Sequence, residues 1–153
     1  MAARSAGILL FRRAASGIEV LLVHPGGPFW AKKDAGAWSI PKGEFGGDET
    51  AEAAARREFQ EELGIAPDGE LLPLGEIRQK AGKVVIAFAA EGDLDVAAVR
   101  SNSFLMEWPP RSGRMQSFPE IDRAAWFDLD VARDRINPAQ APLLERLVQS
   151  ITA

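Results

Sequence analysis

The chain has 153 residues, 46% of them hydrophobic and 26% charged, with a net charge of −4 and no cysteine. That length can bury a sizeable core and leads to the expectation of a single domain over residues 1–153. Lack of cysteine excludes disulfides, thiolate ligands and cysteine nucleophiles and fits a cytoplasmic setting; no apolar run approaches the ~20 residues of a membrane helix, and no dense basic run favours nucleic acid.

Residues 5–12 and 18–24 are apolar, partly β-branched runs separated by Ala14, Ala15, Ser16 and Gly17, so two strands joined by a turn are predicted, with the first read as a strand and not a signal peptide. Residues 25–37 form a loop rich in glycine, proline and lysine that also carries Phe29 and Trp30, with Trp38 just beyond. Trp30 and Trp38 can stack on a nucleobase or serve as core. Lys42, in Ile-Pro-Lys-Gly, can meet a substrate phosphate as a point charge, or be a plain surface lysine. His24, the lone histidine, reads as a packing or hydrogen-bonding residue.

A helix capped by Asp48 or Thr50 is predicted to run to Leu63, where Gly64 supplies a left-handed end. Residues 71–79 and 83–90 read as another strand pair, and residues 103–108 as an extension of that sheet. Residues 109–119 are expected to be a surface loop, 124–127 a short strand, and the Leu143, Leu144, Leu147, Val148, Ile151 pattern a closing amphipathic helix. The order of elements is that of an α+β fold, layered α/β/α, with a mixed central sheet between helices.

Seven acids (Glu44, Asp48, Glu49, Glu52, Glu58, Glu61, Glu62) fall within nineteen residues. On a helix turning about 100° per residue, Ala51, Ala55, Phe59 and Leu63 form an apolar stripe. Glu58 and Glu62 border it one turn apart, and Glu61 lies further round the same flank. A solvated acidic face is one reading. However, like charges at these spacings repel, and carboxylates beside a buried stripe are partly desolvated, so a divalent cation would relieve both costs. Oxygen-only ligation favours Mg2+, Mn2+ or Ca2+ over zinc.

From Gly43 the chain reads GEFGGDETAEAAARREFQEELGI: glycine, five residues, glutamate, seven residues, then Arg-Glu-apolar-any-Glu-Glu-any-Gly-apolar. This resembles the Nudix box over residues 43–65 at every position. The resemblance implies a hydrolase that uses Mg2+, or Mn2+, to split a phosphoanhydride bond in a nucleoside diphosphate linked to another group. It implies Glu58, Glu62 and Glu61 as metal ligands, the Gly43 carbonyl as a further ligand, and Arg57 pairing with Glu49 to orient the site. Nudix enzymes often add a glutamate from a later loop, and here Glu120 stands in that place, with Glu107 the other choice. The approach WSIPKG, residues 38–43, resembles that of diadenosine polyphosphate and diphosphoinositol polyphosphate hydrolases, although the chain has no tyrosine, which the dinucleoside group commonly carries, and has Lys80 where ADP-ribose hydrolases often place proline. The expected partner is a small nucleotide or polyphosphate, with the protein a monomer or homodimer. A nucleotide-binding sensor without turnover and an RNA-decapping hydrolase are the rival classes; intact box glutamates argue against the first and the acidic charge against the second.

Overall fold

The computed structural model describes residues 4–152. Its elements are β1 (Arg4–Ala14), β2 (Gly17–Pro25), β3 (Lys42–Glu44), α1 (Ala51–Leu63), β4 (Leu72–Arg78), β5 (Val84–Glu91), β6 (Ser103–Glu107), β7 (Met115–Pro119), β8 (Ile121–Asp128), α2 (Leu129–Arg135) and α3 (Pro142–Thr152). Six strands form a mixed sheet in the order β4-β5-β1-β2-β8, with β3 on β1. β1 runs parallel to β5, while its first half pairs antiparallel with β3 and its last residues pair antiparallel with β2.

The apolar run of β1 is continuous because both of its faces are covered. Leu9 and Phe11 enter the core shared with Leu143, Leu144 and Leu147 of α3. Ile8 and Leu10 enter the opposite core, with Ala54, Ala55, Phe59 and Leu63 of α1. Burying a side chain such as Phe59 contributes roughly 1.5–3 kcal/mol, which holds α1 flat on the sheet. Of the expected stripe Ala51 is only half-buried and Ala54 takes its share, a small rotation of the helix. Thr50 caps α1 by accepting from the Ala53 N–H at 3.1 Å, and Gly64 ends it at φ 74°.

Two expectations need correction. Strand β6 does not extend the main sheet; it pairs with β7 alone, from Ser103↔Pro119 to Glu107↔Met115. Residues 109–119 are therefore not all loop, because Pro109, Pro110 and Gly113 occupy a hairpin turn and the second strand follows. Phe104, Met106 and Phe118 are half-buried and the other strand residues of this hairpin exposed, so no position in it is fully buried as a strand of the main sheet would be. Helix α2 was not expected at all. Its 7 residues span too few turns for a periodic signal, although Asp128 caps it by accepting from the Val131 N–H at 2.8 Å.

Candidate active site

Pairing of β3 with β1 lays the backbone of Lys42 and Gly43 against α1. The Lys42 N–H donates to Glu62 Oε2 at 3.1 Å. Gly43 backs directly onto the Glu58 carboxylate, so closely that a Cβ there would overlap it. The two glutamates thus face β3 and not bulk water: the Glu58 side chain is only 13% exposed, whereas Glu61 is 46% exposed.

Burial pushes the Glu62 carboxyl up to about 8, with the charges of Glu58 and Glu120 adding to the rise and Lys42 opposing it. Burial also raises Glu58, against the pull of Arg57, and Glu61 and Glu120 push the same way. Burial in turn lowers the Lys42 ammonium, while Glu62 works to keep it charged. Glu120, at the junction of β7 and β8, therefore lies within electrostatic reach of both box glutamates despite its distance in sequence. Its backbone is held on both sides, the N–H donating to Asn102 O at 2.8 Å and the carbonyl accepting from Gly26 N–H at 2.9 Å. Glu107 is instead at the far end of β6, where Oε1 accepts from the Arg111 N–H at 3.0 Å.

Arg57 gathers the flank of the helix. It grips Glu49 through two parallel bonds of 2.8 and 2.7 Å, and its Nη1 donates to Glu58 Oε1 at 2.7 Å and to Glu61 at 3.1 Å. These charge-assisted contacts push its guanidinium further above its usual range.

Trp38 cannot stack on a nucleobase. It is 3% exposed, its ring packs edge-on against His24 and Phe127, and its Nε1–H donates to Asp34 at 2.7 Å. It belongs to the core that holds Leu143, Leu144 and Leu147, which is the core reading of the two open to it in sequence. Trp30 is 40% exposed. His24 is fully buried and structural, with Nδ1 at 2.8 Å from Asp122 and Nε2 at 2.6 Å from the Lys33 carbonyl, so it ties the loop of residues 25–37 to the sheet.

Among the described residues no three acidic or histidine side chains form a ready-made metal shell, and Glu58 Oε1 and Glu61 both accept from Arg57 Nη1. The donor chemistry nevertheless fits a hard divalent cation. All donors are oxygens, and burial together with mutual repulsion raises both Glu58 and Glu62, a strain that a hard cation would relieve.

A NUDIX domain model matches residues 1–147. The chain belongs to the Nudix family. It is a Nudix-type hydrolase, acting on phosphoanhydride bonds. Similar solved folds include a C. elegans Ap4A hydrolase binary complex, with TM-score 0.69 and 22% identity over 97% of this chain and 98% of that one. The NUDIX domain of Shewanella oneidensis NrtR, complexed with ADP ribose, has TM-score 0.69 and 18% identity over 99% of this chain and 89% of that one. MutT from Methanosarcina mazei Go1 has TM-score 0.64 and 20% identity over 99% and 96%. A search of curated proteins gave no match. The mixed sheet with its few helices is the Nudix α+β fold, and among the described residues no helix is long and apolar enough to cross a membrane.

Proposed function

We propose that this Nudix protein is a metal-dependent pyrophosphohydrolase whose substrate is a nucleoside diphosphate linked to a further group, attacked by water. The observation that carries the reading is the approach of Glu120, from the junction of β7 and β8, to Glu58 and Glu62, one turn apart on α1 and both partly buried, so that the carboxylates oppose one another's ionisation. Such a cluster is costly without a cation to balance it. Glu58, Glu62, Glu61 and the Gly43 carbonyl would hold Mg2+ or Mn2+. A divalent cation so held would offset the charge of the bridging phosphates and make bound water a better nucleophile. Arg57 positions Glu58 and Glu61 by the bonds it makes to them, and Lys42 neutralises a substrate phosphate beside Glu62. The similar folds whose descriptions name Ap4A and ADP ribose suggest the range of substrates to try.

The test is a panel of Ap4A, ADP-ribose and nucleoside triphosphates with Mg2+ in 18O-labelled water, read by product mass. One labelled oxygen is expected on a phosphate-bearing product, because water and not a side chain attacks. A trapped phosphoryl-enzyme would contradict this, and no turnover of any member would overturn the proposed substrate class.

Glu120→Gln is expected to lower turnover at least tenfold, about 1.4 kcal/mol of barrier, with little change in melting temperature because the side chain is exposed. Glu107→Gln should be close to silent. The reverse pattern in steady-state rates would show that the wrong loop carboxylate has been chosen.

A further inference from the structure

A second concave site lies outside the carboxylate cluster. Where the loop of residues 25–37 meets the β4–β5 turn and the 3-10 turn Pro138–Gln140, a cleft of about 620 Å3 is lined by Trp30, Gln79, Lys80, Lys83, Asn137 and Pro138, among others. That volume lies within the range typical of small-molecule sites. The cleft adjoins the segment that leads into Lys42, since Gln140, which donates to Gln79 at 2.9 Å, also accepts from the Ile40 N–H at 3.0 Å, two residues before Lys42.

Its walls carry three kinds of group. Lys80 and Lys83 are exposed cations that take part in no salt bridge among the described residues. Trp30 lines the cleft as an indole 40% exposed, with the Lys33 ammonium 5.0 Å from its ring centroid. Gln79 and Asn137 are amides with engaged oxygens: Gln79 Oε1 accepts from Gln140 Nε2 at 2.9 Å, and Asn137 Oδ1 accepts from the Ala139 N–H at 2.9 Å. Their NH2 groups are left as donors. Gln140 is itself fully buried and also donates to Ser39 at 3.0 Å, so one wall of the cleft is braced from within the core.

We propose that this cleft is a distal subsite that takes the far nucleoside and outer phosphates of a dinucleoside polyphosphate, with the base on Trp30 and the phosphates on Lys80 and Lys83. The inference rests on the hydrolytic reading of the carboxylate site and extends it to a substrate class. A substrate with only a diphosphate would be met by Lys42 and by the cation that the carboxylates would hold; two further lysines past Lys42 match phosphates further along a chain. A partly exposed indole with amide donors in the same cleft matches a base at its end, since stacking and edge hydrogen bonds are how bases are held.

The experiment measures binding apart from turnover. In the Glu62→Gln background with Mg2+, Ap4A and ADP-ribose are titrated by calorimetry against the Lys80→Ala/Lys83→Ala double variant and against Trp30→Ala. Each variant is expected to raise the Ap4A Kd at least tenfold, and the lysine pair to weaken Ap4A at least fivefold more than ADP-ribose. The same substitutions in the otherwise native enzyme should raise KM for Ap4A by a similar factor. Unchanged Kd and KM, or equal losses for both ligands, would overturn the subsite. Loss from the lysine pair with none from Trp30→Ala would overturn its nucleoside half. Ap4A binding that depends on these residues without any hydrolysis would sink the hydrolytic reading and leave the subsite standing; hydrolysis of Ap4A that ignores them would do the opposite.

Discussion

Glu62→Gln should lower turnover at least a hundredfold, about 2.7 kcal/mol of barrier, and at the same time make the metal-free protein more heat-stable at pH 8. Both effects come from the same carboxylate. Burial lifts its pKa from the ordinary 4.5 to about 8, so between those values the folded protein holds a proton that the unfolded chain has released. Stability then falls as pH rises across that window, because the folded state binds more protons there. Glutamine can still accept the Lys42 N–H but carries no charge to desolvate, so the variant should not show this decline. It also cannot supply an anionic oxygen to a cation. Mg2+ should therefore raise the melting temperature of the native protein at pH 8 more than that of the variant. Glu58→Gln should lose turnover comparably. Near-native rates in both variants at saturating Mg2+ would defeat the carboxylate-site reading, and identical pH–stability curves for the native and Glu62→Gln proteins would defeat the desolvation argument.

Gly43→Ala should lower turnover about a hundredfold while leaving the fold intact. An added Cβ would overlap the Glu58 carboxylate, which is the end of a flexible side chain and can swing aside. Gly43 is not among the residues at positive φ, so alanine meets no backbone strain there. The cost falls on geometry instead: Glu58 must leave both its seat on β3 and its 2.7 Å bond to Arg57. A displacement of about 1 Å in a catalytic constellation can cost ~10²-fold in rate. Gly47→Ala is the control, since a Cβ there meets nothing within 4 Å. Rates and thermal melts of the two variants decide the matter. Equal, small effects at both positions would mean that the close approach of β3 to Glu58 has no part in catalysis.

Much of this molecule was legible in one dimension because its strongest signals are local. The span of α1, its Thr50 cap and its Gly64 end follow from residue types and neighbours, as do the two hairpins β1–β2 and β4–β5 and the closing helix. The spacing of Glu58, Glu61 and Glu62 on one helical flank follows from 3.6-residue periodicity alone. What periodicity could not say is which of them is desolvated. That depends on β3, three residues long and without a pattern of its own, crossing beside α1. The reach of Glu120 to the same site depends on a β6–β7 hairpin that carries too little buried surface to announce itself. Trp30 and Trp38, alike in type and only eight positions apart, divide into a partly exposed ring and a core ring because the backbone of Trp38 is bridged to Ile136 and that of its neighbour Ser39 to Val23 of β2, while Trp30 stays in the loop. Lys80, Lys83, Gln79 and Asn137 are scattered and individually ordinary, so their shared cleft exists only after folding. Sequence specifies chemistry wherever reacting groups share one element, and tertiary packing decides it wherever burial and charge come from elements far apart in the chain.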